Sequence, residues 1–101
     1  MTYKVIQWTT GHVGREAVKG IMRHPELELV GCYAWSEHKA GKDVGELCGI
    51  DPTGVIATSN INQLLALEAD CVCYMPTFPD IDEVERILRS GKNVVSSYFI
   101  N

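Results

Sequence analysis

The sequence predicts an α/β domain, a doubly wound parallel sheet of about five strands with helices on both faces. Short apolar runs alternate with amphipathic stretches along the whole chain. Only one helix-like stretch separates the first two runs, so their connection is a crossover and the strands are parallel. Between the first run and that helix lies a glycine turn, Thr9-Thr-Gly11-His-Val-Gly14.

Tyr3, Val5, Ile6 and Trp8 mark the first strand. Val13 to Arg23 reads as helix: Ala17, Val18, Ile21 and Met22 form one apolar stripe, and Arg15, Glu16, Lys19 and Arg23 point away. His24-Pro25 ends it. Leu27 to Trp35 is a second strand, apolar enough for burial on both faces. Ser36 to Gly45 is a polar surface loop with Lys39, Gly41 and Lys42, and Val44 to Cys48 forms a short helical turn. Val55 to Thr58 reads as the third strand. Asn60, with Gln63 three residues on, caps a helix whose Ile61, Leu64 and Leu65 face inward. Cys71 to Met75 is the fourth strand, broken by Pro76 and Pro79. Asp80 and Glu83 open a helix with Val84, Ile87 and Leu88 inside, and Ser90-Gly91 closes it. Asn93 to Ser96 is the fifth strand, followed by the apolar end Tyr98-Phe-Ile-Asn101.

The 101 residues suit one domain, spanning 1–101, with an ordinary balance of 46% hydrophobic and 22% charged residues. A formal net charge of −4 and the lack of a basic stripe argue against nucleic-acid or anionic-membrane partners. Neither a membrane-span-length apolar run nor a signal-peptide core is visible, so a cytoplasmic location is expected. There Cys32, Cys48, Cys71 and Cys73 stay reduced. Cys71 and Cys73 fall on one face of a strand as small hydrophobes, and without a C-x-x-C no metal site is expected.

A helix start leaves backbone N–H groups unpaired and carries partial positive charge, so a strand–glycine turn–helix suits a phosphate. The backbone N–H groups of Thr10, Gly11, His12, Val13 and Gly14 are the candidates for a diphosphate. Against the dinucleotide fingerprint G-x-G-x-x-G/A, Thr9 stands where the first glycine belongs, and Gly11 and Gly14 follow. Gly11 permits a sharp turn, Gly14 a close backbone approach to the diphosphate, and Ala17 is small where helix crosses strand. A Gly14→Asp change is expected to abolish binding and to spare most of the fold. The His12 side chain either donates to a phosphate or sits exposed at the helix start.

At the end of the second strand, Ser36 and Lys39 suit a ribose 2′-phosphate, whereas a carboxylate there would favour the free hydroxyls of NAD. This favours NADP(H), with NAD(H) possible because Glu37 is adjacent. Trp8 and Trp35 are expected to pack in the core. Thr77, in the turn Met75-Pro76-Thr77, either contacts the nicotinamide ribose or belongs to a plain proline-bounded turn.

The segments Val-Ile-Gln-Trp-Thr-Thr-Gly-His-Val-Gly, Leu-Glu-Leu-Val-Gly-Cys-Tyr-Ala-Trp-Ser, Gly-Lys-Asp-Val-Gly-Glu-Leu-Cys-Gly and Ala-Asp-Cys-Val-Cys-Tyr-Met occur in that order. Together they resemble the amino-terminal part of dihydrodipicolinate-reductase-like proteins, in the branch that includes NADP-using amine dehydrogenases. The resemblance implies a Rossmann cofactor domain of an oxidoreductase acting on an imine or amine carbon. It implies that Gly11, Val13 and Gly14 hold the diphosphate, that Ser36, His38 and Lys39 meet the 2′-phosphate, and that Met75, Pro76 and Thr77 flank the nicotinamide. It also implies a separate substrate and catalytic domain, absent from this chain, so no catalytic residue is assigned here. Cofactor binding without turnover is expected of these residues alone, and the apolar end at Tyr98-Phe99-Ile100 is a candidate surface for self-association. The rival reading is a stand-alone nucleotide- or coenzyme A-binding module without catalysis, with redox sensing through Cys71 and Cys73 as a variant.

Overall fold

The computed structural model describes residues 2–76 and 78–96. Tyr98-Phe99-Ile100, the candidate self-association end, lies outside the described residues, as does Thr77. The elements run β1 (Tyr3–Trp8), α1 (His12–Arg23), β2 (Leu27–Tyr33), α2 (Val44–Cys48), α3 (Ile61–Leu65), β3 (Cys71–Tyr74), α4 (Ile81–Arg89) and β4 (Asn93–Val95).

The four strands form one parallel sheet in the order β2-β1-β3-β4. The chain winds outward from β1 to β2, then returns to place β3 on the other side of β1. The winding direction therefore reverses between β1 and β3, and a crevice opens beyond their carboxyl ends.

Because side chains alternate along a strand, β1 supplies both faces of the sheet. Val5 joins Val18 and Ile21 of α1, Leu29 and Cys32 of β2, and Val44 and Cys48 of α2 in one core. Ile6 and Trp8 join Leu64 of α3, Ile87 of α4, and Val72 and Tyr74 of β3 in the other. Cys71 and Cys73 pack together against the first core, on the shared face their spacing predicts.

The segment Val55–Thr58 does not form the expected strand. Thr58 pairs with β2, receiving Ala34 N–H and donating its own N–H to the Cys32 carbonyl, each at 3.0 Å. Ala57 instead donates backward to Lys42 at 2.9 Å, and the Val55 carbonyl accepts from Val44 N–H at 2.9 Å. With its backbone divided between two partners, the segment makes isolated bridges and no ladder. Met22 and Leu88, expected inside, are 45% and 53% exposed, at the edges of stripes that Val18, Ile21 and Ile87 fill.

Three helices carry side-chain caps. Asp43 accepts from Gly45 N–H at the start of α2, Asn60 from Gln63 N–H at the start of α3, and Asp80 from Asp82 and Glu83 N–H at the start of α4. Asp43 also accepts from the Thr53 backbone N–H and hydroxyl and from Gly54 N–H, so one carboxylate closes the loop over 43–54. These bonds hold its carboxyl below the ordinary value. No described helix is long and apolar enough to cross a membrane.

Burial sets an alkaline limit on this core. It pushes the Cys32 thiol from its ordinary 9.0 up to about 12 and the Cys73 thiol up to about 11. Above the unfolded value the denatured chain releases protons that the folded chain retains, so stability falls as pH rises. The contribution of these thiols to the melting temperature is expected to be lost progressively as pH rises from 9.0 through about 11 for Cys73 and about 12 for Cys32. A melting temperature unchanged across that window would contradict the assignment of these thiols to a dry core. Raised thiol pKa values also remove the thiolate character that redox sensing requires.

Candidate dinucleotide site

The turn after β1 is built around a residue that sequence rules disfavour there. Thr9 has φ +74, the left-handed conformation that the first fingerprint glycine ordinarily supplies. For a β-branched residue this costs about 1–3 kcal/mol, and such strain persists only where the surroundings over-determine it. Two hydrogen bonds do so here: Gln7 Nε2 donates to the Thr9 carbonyl at 3.0 Å, and Thr9 Oγ1 donates to the Met75 carbonyl at 2.8 Å.

The next glycines have different reasons to be there. A Cβ on Gly14 would lie 2.5 Å from the Thr9 carbonyl oxygen and 3.2 Å from Gln7 Nε2. Gly14 is buried, and the close approach of α1 to the β1 turn is what demands a glycine there. Gly11 is exposed, has φ −66, and a Cβ there would meet nothing within 4 Å. Its place is on the open side of the turn.

Gly11 is also the N-cap of α1, with no side-chain cap and no acidic residue in the first turn. Alone among the four described helices, α1 starts without a side-chain partner for its first N–H groups. Thr10 beside it is 2% exposed, and its Oγ1 has no hydrogen-bond partner among the described residues. An unpaired buried hydroxyl is costly, and Gln7 Oε1, beneath the same turn, is likewise without a partner among the described residues.

This turn forms one wall of a cavity of about 630 Å³ at the carboxyl end of the sheet. Trp8, Tyr33 and Ala34 line it, as do Trp35, Ser36 and Lys39 from the far side of β2. Pro76, Phe78, Asp80 and Glu83 close it from the segment after β3. Lys39 Nζ lies 3.4 Å from the Thr10 carbonyl oxygen, so the ammonium sits against the turn. Ser36 Oγ accepts from His38 N–H at 3.2 Å and keeps its own proton to donate.

The cavity brings Thr10, Gly11, Ser36, Lys39 and Pro76 together. It does not include His12, Val13, Gly14, His38 or Met75 among its lining residues. The side chains of His12, Val13 and His38 are exposed, and Met75 acts through its backbone, accepting from Thr9 and donating to the Trp8 carbonyl at 3.2 Å.

The aromatic wall went unread in the sequence. Trp8 is buried as expected, stacked on Tyr33 at 4.6 Å between ring centroids. Trp35 is 74% exposed and Phe78 86%, because β2 stops at Tyr33 and leaves the indole outside the sheet. Glu83 does not reach back to cap α4. Its Oε1 accepts from Trp8 Nε1 at 2.8 Å and from the Tyr74 hydroxyl at 2.9 Å. A buried indole N–H and phenol each need an acceptor, but nothing in the sequence singles out Glu83, 75 residues from Trp8, as the one they share.

A parallel doubly wound sheet, a reversal between β1 and β3, and an uncapped helix start opening on a cavity define a Rossmann-like dinucleotide-binding domain. The family described as "Dihydrodipicolinate reductase, N-terminus" matches residues 5–96, and the chain belongs to that family as its NAD(P)H-binding domain. Among its relatives is an amine dehydrogenase of Streptomyces virginiae, 37% identical over 97 residues, covering 90% of this chain and 27% of that protein. A 4-hydroxy-tetrahydrodipicolinate reductase of Synechococcus elongatus is 36% identical over 63 residues, covering 62% of this chain and 23% of that protein. The solved structure of an amine dehydrogenase from Mycobacterium smegmatis superposes with a TM-score of 0.80 at 25% identity, over 95% of this chain and 30% of that one. The chain thus spans about a quarter of the length of the curated relatives it matches.

Proposed function

We propose that this domain is the cofactor-binding half of an NADPH-dependent oxidoreductase that transfers hydride between the nicotinamide and an imine or amine carbon. The observation that carries the cofactor reading is the uncapped start of α1 opening on the cavity that holds Ser36 and Lys39. The names of the relatives, amine dehydrogenase and 4-hydroxy-tetrahydrodipicolinate reductase, support the substrate class. The bound nicotinamide gives or takes the hydride; this chain's residues bind and orient it. Backbone N–H groups at Gly11 and the start of α1 hold the diphosphate. The Ser36 hydroxyl and the Lys39 ammonium receive the 2′-phosphate, and exposed Glu37 stays outside the cavity lining.

The cavity also suggests which half of the cofactor it takes. Pro76 shares it with Trp35 and Ser36, which supports an adenosine-side role for the segment after β3 in place of the nicotinamide-flanking role that the resemblance implies. Trp35 and Phe78 supply apolar surface for the base. Titration of the Trp8 and Trp35 fluorescence separates these readings. NADPH and adenosine 2′,5′-bisphosphate should both quench it, and nicotinamide mononucleotide should not. Quenching by coenzyme A with none by NADPH would favour the stand-alone module, and NADH binding as tightly as NADPH would remove the roles given to Ser36 and Lys39.

A further inference from the structure

We propose that Thr9 is a positioning residue, a latch that ties the phosphate turn to the segment after β3 and so fixes the width of the cofactor cavity. The proposal rests on the cofactor reading above. Thr9 is the one non-glycine residue with positive φ among those described. A glycine would reach this conformation without strain but could not make the bond from Oγ1 to the Met75 carbonyl at 2.8 Å.

That bond has a specific geometry with respect to the cavity. Thr9, Thr10 and Gly11 line one wall, and Pro76, Phe78 and Asp80 line the facing one. Met75 immediately precedes the second wall, and its N–H already bonds to the Trp8 carbonyl at 3.2 Å. The Thr9 hydroxyl therefore makes a second tie at the point where the two walls diverge. Gln7, 0% exposed, holds the Thr9 carbonyl from beneath with its Nε2 at 3.0 Å, so the turn is clamped from both sides. Threonine stands at the fingerprint's first glycine position because its side chain sets the spacing of the walls. Strain in the free domain is exchanged for a cavity already at its binding width, which is preorganisation.

The test compares the full chain with Thr9→Gly and Thr9→Ser. Thr9→Gly is expected to melt at the same temperature as the parent or higher, because strain is relieved, and to bind NADPH roughly five- to tenfold more weakly, the worth of one hydrogen bond. Thr9→Ser keeps the hydroxyl and is expected to bind within about twofold of the parent. Hydrogen exchange at the Met75 amide reads the latch without ligand and is expected to be roughly tenfold faster in Thr9→Gly. Equal NADPH affinity in Thr9→Gly would overturn the proposal, as would a Thr9→Ser variant as weak as Thr9→Gly. A fall in melting temperature that accompanies the loss of affinity in Thr9→Gly would reduce Thr9 to a structural role and overturn it too. Unchanged Met75 exchange overturns the latch whatever the ligand does, whereas a parent chain that binds neither NADPH nor NADH overturns the cofactor reading itself.

Discussion

Gly14→Ala should destabilise the domain by about 2–3 kcal/mol, whereas Gly11→Ala should leave stability within about 0.5 kcal/mol and weaken NADPH binding at least tenfold. The new Cβ at 14 would sit 2.5 Å from the Thr9 carbonyl oxygen and 3.1 Å from the carbonyl carbon, atoms of backbone that cannot swing aside. Relief requires α1 to withdraw from the β1 turn or Thr9 to leave its conformation, and either move loosens the Gln7 and Met75 bonds. For a domain of this size the melting temperature should fall by roughly 10–20 °C. Gly11 is the opposite case, since nothing lies within 4 Å of its added Cβ and its φ of −66 suits any residue. The methyl group would instead project on the open, cavity-lining side of the turn, which the proposed diphosphate site needs free. Thermal melts and NADPH titrations of the two variants separate the roles. A Gly14→Ala protein as stable as the parent would contradict the packing argument. The sequence-based expectation that Gly14→Asp spares the fold is revised accordingly, because the fold gives way before the ligand is involved.

Lys39→Ala should weaken NADPH about tenfold and leave NADH within about twofold, since a charge-assisted hydrogen bond is worth roughly 1.5 kcal/mol. Lys39 is half-buried, lines the cavity, and holds its ammonium 3.4 Å from the Thr10 carbonyl oxygen. A solvated loop lysine would do none of these. Lys42 and Glu37, its charged neighbours in sequence, are exposed and outside the cavity lining, so Lys42→Ala is the matched control with no expected change in either affinity. The dependence should weaken with added salt, as expected for an ammonium near a phosphate at a cavity mouth. Equal loss for NADPH and NADH would assign Lys39 to the shared diphosphate, and no loss for either would return it to solvent.

The parallel sheet and the crossover were legible because each depends on local periodicity. β1, α1, the start of β2, α4 and the Asn60 and Asp80 caps all fall where apolar spacing and turn residues put them. Val55–Thr58 was not legible, since whether an extended segment joins a ladder depends on which distant backbone it meets, here Cys32 and Ala34 on one side and Lys42 and Val44 on the other. The glycine turn was readable in position, and only the reason for its second glycine was open. Its pattern said that Gly14 needs to be small, but not whether a phosphate or the Thr9 carbonyl lies against it. Trp35, Phe78 and Glu83 escaped notice for a related reason. Their places on the cavity wall follow from where β2 ends and which partners Trp8 and Tyr74 find across the sheet, and neither is encoded by neighbours in the sequence.

The most direct measurement is a backbone-amide NMR titration of the 101-residue chain with NADPH. The amides of Gly11, His12 and Val13 should shift together with those of Ser36 and Lys39, saturating at a single affinity, while Asp43, Gly45 and Gly54 on the loop clamp stay fixed. Saturating NADPH that leaves the start of α1 unmoved and perturbs another surface would contradict the account.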